Sequence, residues 1–338
     1  RRWGGAARGG GDLEGEVEGV GRIPVITTSI EEALEGAELI MVVVPATGHR
    51  FIAEQCAPYL KEGQTVILHP GRTLGALEFR QALKKKGCTA DVTIAEAQTF
   101  IYASRVVGPG HSKIFSIKNS IPVAAIRAHR IPQVLSRLRI AYPQFVPGDN
   151  VFKTSFNNIG AIFHPALCVL NAGWIESEAD FQFYIQGASP SVARVLEKID
   201  EERIKVAAAV GIRAITARQW LYIAYNSAGA DLYNAIHVTL GYRGIMAPTN
   251  LNMRYIREDV PASLVPISSL GRMLGVETPM IDSIINIASV LNNCDYRATG
   301  RTVETLGIQG MSLRALRMLA IGEGDSSEGQ QSTEAFLE

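Results

Sequence analysis

What this chain lacks narrows its chemistry before any motif is considered. It has no excess of charge: 33 Lys and Arg stand against 33 Asp and Glu, a formal net charge of zero. A neutral chain exerts no long-range pull on nucleic acid or an anionic membrane, so neither is expected as a partner. No apolar run approaches the roughly 20 residues that cross a bilayer. The longest, residues 39–45, has the length of a buried strand. No apolar stretch follows the opening Arg-Arg-Trp-Gly-Gly, so no secretory signal is expected there. The four cysteines, at 56, 88, 168 and 294, form no CxxC pair. That spacing gives no zinc or dithiol motif and leaves packing thiols in a reduced, cytoplasmic protein. No metal site is expected.

What is present is a core-forming composition, 47% hydrophobic and 20% charged, over 338 residues, a length that favours two domains. Residues 1–22 are rich in Gly and charge, without a period, and read as a loose lead-in. Residues 23–27 read as a short strand. Ser29 and Glu32 have capping-box spacing before a helix that stops at Gly36. Residues 38–44 are a near-continuous apolar run closed by Pro45, the pattern of a strand buried on both faces. A helix near 48–60, a strand at 65–69, a helix near 75–86 ending in three lysines and a strand at 91–95 continue the alternation. Such alternation predicts an open α/β sheet with right-handed crossovers. Residues 113–128 read as further strands and 130–141 as a helix. After Asp149, helical periods dominate, at 156–173, 189–210, 215–228, 263–274 and 279–293. The polar stretch from 323 to 338 reads as a disordered tail. The predicted domains are thus 1–149, 150–322 and a tail at 323–338.

An α/β domain before a helical one suggests a dinucleotide enzyme, which would open with a strand, a GxGxxG turn and a helix cradling the pyrophosphate. No such unit stands in this sequence. Gly9-Gly10-Gly11 has no strand before it and no apolar helix after it, and Val107-Gly108-Pro109-Gly110 reads as a turn between strands. The expectation is a truncated Rossmann-type domain whose first βαβ unit is absent, with activity requiring an N-terminally extended chain. An inactive remnant is the bleaker alternative.

Two clusters could carry chemistry. Asn157, His164 and Asn171 are spaced by seven and fall on one stripe of an otherwise apolar helix, interrupted by Pro165. They are either satisfied core groups or a polar site. Residues 250–261 set Arg254, Arg257, Glu258 and Asp259 between Pro248 and Pro261. This is either a solvated loop or an arginine fork for a carboxylate beside an aspartate that orients a histidine.

Asn-x5-His-Pro-x5-Asn-Ala followed by Arg-Tyr-x2-Glu-Asp-Val-x3-Leu-Val-Pro resembles the octopine/nopaline (opine) dehydrogenase family. Tyr184-Ile185-Gln186-Gly187-Ala188-Ser189-Pro190, Asp200-Glu201-Glu202-Arg203, Val42-Val43-Val44-Pro45-Ala46 and Pro70-Gly71-Arg72-Thr73 extend the resemblance, which runs in order through residues 23–315. It implies a Rossmann-type domain followed by an all-helical domain of the 6-phosphogluconate dehydrogenase C-terminal type. It implies condensation of an amino acid with a 2-oxo acid and reduction of the imine with NAD or NADP as cofactor. His164 would be the acid/base and Asp259 its partner. Arg254, Thr99, Ser104 and Asn158 would face substrate, and Val44, Pro45, Ala46, Pro70 and Gly71 the cofactor. Two departures touch substrate choice: Ser104 stands where some relatives have Cys, and Leu74 where a glycine is common. The alternative is a two-domain dehydrogenase of hydroxy acids or phosphorylated polyols, which would need a catalytic lysine such as Lys198 or Lys205. Apolar C-terminal helices are compatible with a homodimer.

Overall fold

The computed structural model describes residues 10–322. The stretch 323–338 and the first nine residues of the lead-in lie outside them. Among the described residues there are nine strands: β1 (Gly10–Gly15), β2 (Gly19–Arg22), β3 (Leu39–Val42), β4 (Thr65–Leu68), β5 (Thr93–Ala97), β6 (Tyr102–Gly108), β7 (His111–Ile117), β8 (Ile121–Ala125) and β9 (Phe145–Pro147). The helices of the first half are α1 (Ile30–Leu34), α2 (His49–Cys56), α3 (Gly75–Lys85) and α4 (Ile131–Leu138).

The main sheet has the order β3-β4-β5-β8-β9. β3, β4 and β5 are parallel, as the alternation predicts, with Leu39 opposite Thr65 and Thr65 opposite Thr93. β8 runs antiparallel to β5, so the sheet is mixed. The reason lies in the connection: a β6–β7 hairpin rather than a crossover helix joins β5 to β8, which returns in the opposite direction. All four residues of β4 and all five of β5 are buried. The ends of β3, β4 and β5 are level, with Val42, Leu68 and Glu96 in line. Residues just after each strand therefore share one edge of the sheet, where ligands of such folds bind.

Two expectations near the N-terminus are corrected. Residues 23–27 form no strand: Pro24 cannot donate to a ladder, and Ile23, Val25 and Ile26 are exposed. The segment read as a loose lead-in instead carries the β1–β2 hairpin, and β1 pairs in parallel with β7 in a second sheet, β2-β1-β7-β6. Glycine-rich strands carry no apolar period, so only the partner β7 reveals them. Gly10 and Gly11 are strand residues paired with Arg22 and Gly21. The Ser29 hydroxyl accepts from Glu32 N as expected, but the Glu32 carboxylate takes the Thr27 hydroxyl at 2.6 Å, so only half of the capping box forms.

The second half is helical: α5 (Val151–Phe156), α6 (Gly160–Leu170), α7 (Ala172–Glu176), α8 (Pro190–Ala209), α9 (Ala217–Tyr225), α10 (Leu232–Val238), α11 (Arg254–Arg257), α12 (Val265–Met273), α13 (Pro279–Leu291), α14 (Tyr296–Thr299) and α15 (Leu313–Ile321). Local signals start several of them. Ser189 caps α8 with Pro190 at its first position, and Thr216 with Gln219 forms a complete capping box on α9. α6 is the apolar centre and packs against α8, α11 and α13. Leu167, Leu196, Ile256 and Ile285 are fully buried there, each contributing about 1.5–3 kcal/mol by leaving water. No described helix is long and apolar enough to cross a membrane.

Candidate active site

The chain breaks between α5 and α6 at Asn157 and Asn158, so Asn157 lies on a different helix end from His164, while Asn171 closes the helix that carries His164. Asn157 caps α5 and accepts from Ile215 N at 3.0 Å; Asn171 ends α6 and donates to Leu167 O and Gly187 O. Those two amides are satisfied structural groups. His164 is different. Its Nδ1 lies 2.8 Å from Asp259 Oδ2, its Nε2 lies 3.1 Å from the Tyr184 hydroxyl, and its ring stacks on Tyr255 at 4.2 Å. Burial alone would raise the Asp259 carboxyl, but Arg72, the His164 hydrogen bond and Arg254 outweigh it and hold it below its ordinary value. An ionised carboxylate only accepts, so Nδ1 carries a proton and Nε2 is left as the exchangeable position. Burial pushes the Tyr184 phenol well above its usual range, so it stays protonated and can donate to Nε2.

Arg72 reaches this pair from the first domain. It follows β4 with a left-handed backbone (φ 60°) and places Nε 3.0 Å and Nη2 3.3 Å from the two Glu258 oxygens, with Nη1 3.4 Å from Asp259 Oδ1. Glu258 Oε1 also accepts from Ala46 N at 3.1 Å. Arg301 makes a second joint: it pairs with Glu78 at 2.7 Å and donates to the carbonyls of Ala46, Gly71, Thr73 and Ala262 and to His49 Nδ1. Both arginines are at most 8% exposed.

Arg254 opens α11, half-exposed, 3.3 Å from Glu258 Oε2 and 5.5 Å over the Phe100 ring. Thr99 immediately precedes Phe100 in the segment after β5, so it is brought near the same mouth. Lys118 donates to Phe100 O at 2.7 Å and braces that segment; burial lowers its ammonium to about 8. Ser104 lies exposed on β6 opposite Ile114 and makes no hydrogen bond to the His164 group among the described residues. Asn158 is buried and donates to Ser263 Oγ at 2.9 Å, which ties α6 to the π-helical turn Val260–Leu264. Val44 is half-buried and Pro45 exposed at the end of β3, whereas Ala46 is buried. Pro70 and Gly71 are buried; a Cβ on Gly71 would lie 2.6 Å from Glu96, so glycine is required there for packing. Leu74 adopts φ 58°, the left-handed region that glycine enters without the strain a side chain brings. Lys198 and Lys205 lie on the exposed face of α8, Lys198 paired with Glu201. All four cysteines are free thiols.

Arg72, Tyr184, Tyr255 and Arg301 are the residues that sequence reasoning did not single out. Arg72 and Tyr184 stand inside quoted motifs, but a motif does not say which side chains turn inward. Arg301 sits in a segment with no period or motif, and nothing local could have found it.

The family model for the NAD/NADP octopine/nopaline dehydrogenase α-helical domain matches residues 147–292. The chain is 39% identical over 293 residues to an opine dehydrogenase of Arthrobacter sp. (strain 1C), covering 87% of this chain and 81% of that protein. In three dimensions it resembles octopine dehydrogenase bound to NADH and L-arginine, with a TM-score of 0.78, 22% identity and coverage of 93% and 88%. It also resembles an NADP+-bound yersinopine dehydrogenase, with a TM-score of 0.69, 17% identity and coverage of 93% and 86%. These two likenesses show the fold, a Rossmann-like domain followed by a helical one. With the identity it shares with the Arthrobacter enzyme over most of both chains, this protein belongs to the NAD(P)-dependent octopine/nopaline dehydrogenase family of oxidoreductases.

Proposed function

We propose that this protein joins the amino group of an amino acid to a 2-oxo acid and reduces the resulting imine with hydride from NADH or NADPH, with His164 as acid/base and Asp259 as its partner. The observation that carries this reading is the line from Asp259 through His164 to Tyr184, with the Arg254 guanidinium at its mouth. Solved octopine dehydrogenase neighbours holding L-arginine and pyruvate support the substrate class.

The charges explain how the acid is armed. Arg72 and Arg254 balance Glu258 and Asp259, so the site is neutral with a neutral His164. A substrate carboxylate bound at Arg254 adds one negative charge, and protonating His164 restores neutrality. The imidazolium can then donate from Nε2 to the oxygen that leaves the carbonyl carbon as water. To do so, Nε2 exchanges the Tyr184 hydroxyl for the substrate oxygen. In the reverse direction neutral His164 accepts a proton. Thr99, Ser104 and Asn158 are assigned to the substrate side, Asn158 through its hold on Ser263. In this reading residues 1–149 form the cofactor side and 150–322 the substrate side.

The residues present fit one end of a dinucleotide. Val43 is 56% exposed, and with Val44 and Pro45 it forms an apolar shelf at the end of β3 suited to a nicotinamide face. Ala46, Pro70 and Gly71 would support that shelf from beneath. Among the described residues the turns from β3 into α2, through Pro45–Gly48, and from β4 into α3, through Pro70–Leu74, carry no GxGxxG, and the Gly71 position is filled by Glu96, so neither turn has the glycine cradle of a pyrophosphate. When bound, the dinucleotide supplies the hydride.

The test follows NADH and NADPH absorbance with pyruvate and each amino acid in turn, in this chain and in an N-terminally extended form. Oxidation that requires both substrates is expected. Oxidation with the oxo acid alone would favour a hydroxy-acid dehydrogenase, a reading against which Lys198 and Lys205 lie on the exposed face of α8. No oxidation with any pair in either form would overturn the proposal.

A further inference from the structure

We propose that Arg72 is a positioning residue for the acid/base pair: it enters from the first domain and sets the charge balance in which Asp259 holds His164, so the pair is complete only where the two domains meet. The inference rests on the reading of His164 as the acid/base. Three observations carry it. First, the Arg72 guanidinium is shared between Glu258, through two hydrogen bonds, and Asp259 Oδ1, which has no hydrogen-bond partner and meets Arg72 as a charge at 3.4 Å. Second, Arg72 Nη1 and the His164 ring flank the same point of backbone: a Cβ on Gly160 would lie 3.2 Å from both Nη1 and Cε1. The guanidinium and the imidazole thus face each other across Gly160, where a Cβ would require both to give by a few tenths of an ångström. Third, Glu258 is bonded to Ala46 N, so the same guanidinium that faces Asp259 is tied to the end of β3.

Burial works against the Arg72 charge, but Asp259 and Glu258 outweigh it and hold the guanidinium protonated. The other charges near α6 are already matched. On α8, Asp200 pairs with Arg203, and on α13, Asp282 pairs with Arg297. Arg254 bonds Glu258, and Arg105 of β6 is a further cation that acts on Tyr255 and stays unchanged in every variant compared below. Tyr184, Tyr255 and Cys168 are neutral, each raised by burial. Removing Arg72 therefore leaves two carboxylates against Arg254 and should favour the imidazolium. Removing the Glu258 charge should do the reverse.

The experiment is an NMR titration of the His164 imidazole in the full chain, comparing Arg72→Gln, Arg72→Lys and Glu258→Gln with the parent. Arg72→Gln should raise the His164 midpoint by roughly one pH unit, and Glu258→Gln should lower it by a similar amount. Arg72→Lys, which keeps the charge and loses the fork, should stay near the parent midpoint. A merely structural role would not move the two variants in opposite directions. An unmoved midpoint in folded Arg72→Gln, or an unmoved or raised one in Glu258→Gln, overturns the proposal. If Arg72→Gln does not fold, Glu258→Gln and Arg72→Lys still decide it. The titration needs no turnover, so opposite shifts without amino-acid-dependent activity would sink the functional reading while leaving the control of the His164 charge by Arg72 established.

Discussion

Arg203 and Arg72 are both buried guanidinium groups paired with aspartates, yet only the first pair is closed. Arg203 bonds Asp200 Oδ1 through Nε at 3.1 Å and Nη2 at 2.6 Å, and also donates to the carbonyls of Phe156 and Ile215. The remaining oxygen, Asp200 Oδ2, accepts from Ala217 N at 2.7 Å. Every group is satisfied inside one domain, so the pair clamps α5, α8 and α9 together and has no capacity left. The Arg72–Asp259 pair spans two domains, leaves Oδ1 without a hydrogen bond and turns Oδ2 to His164. A buried charge that is balanced but not fully bonded is the one that can respond when a proton or a carboxylate arrives. On the reading proposed above, the difference separates an ion pair that holds the fold from one that serves chemistry.

That comparison can be broken at either end. Asp200→Ala should cost about 3–5 kcal/mol of folding stability in denaturant unfolding, because it strands the buried Arg203. The pH dependence of activity should not move; a large shift would erase the distinction. Acid should destabilise the fold through a group that belongs to neither pair. Burial, with Lys118, holds His69 at about 4 against an ordinary 6.5, so the unfolded chain takes the proton first. The stability this represents is whole above pH 6.5 and is lost as pH falls through 4, up to roughly 3 kcal/mol. His69→Gln should flatten that part of a melting-temperature profile, and an unaltered profile would exclude His69 as its source.

At the open pair, His164→Ala should lower turnover by about 10²-fold or more. Normal turnover would remove it from proton transfer. Arg254→Ala should raise KM for a carboxylate substrate by about 10- to 100-fold with a smaller change in kcat, since a charged hydrogen bond is worth roughly 1.5–3 kcal/mol. A fall confined to kcat would place Arg254 elsewhere in the reaction. The smallest effect belongs to the outer sheet: Glu14, exposed beside His111 and Lys113, should cost less than about 1 kcal/mol as Glu14→Gln.

Residues whose neighbours in sequence are also their structural partners were legible. The buried run of β4, the helices starting near 189 and 215 and the turn at Gly110 follow from local pattern, whereas β3, expected to be buried on both faces, is a part-buried edge strand because no strand among the described residues pairs on its outer side in the main sheet. β1 and β2 were not legible because glycine carries no pattern and their pairing depends on β7, about a hundred residues away. The antiparallel entry of β8 likewise depends on a hairpin that leaves the sheet. In the candidate site, motif likeness singled out His164, Asp259 and Arg254, and the fold places them together. The same likeness could not separate Asn157 and Asn171, whose amides close on nearby backbone, from a polar site. Nor could it show that Gly71 is a packing glycine against Glu96.

By itself, then, the amino-acid sequence determined the parallel strands β3 to β5, most of the helices, the neutral and core-rich character of the chain and the identity of the side chains able to move protons and grip carboxylates. Those properties are set by residue chemistry and short periods. Only the tertiary structure decided that Arg72 and Arg301 cross the domain joint, that Glu258 answers to Ala46 rather than to solvent, and that Tyr184 occupies the free nitrogen of His164. Each of these contacts joins positions 20 to 255 residues apart. A buried charge is stabilised by whatever stands within a few ångströms, and that distance is a property of the fold.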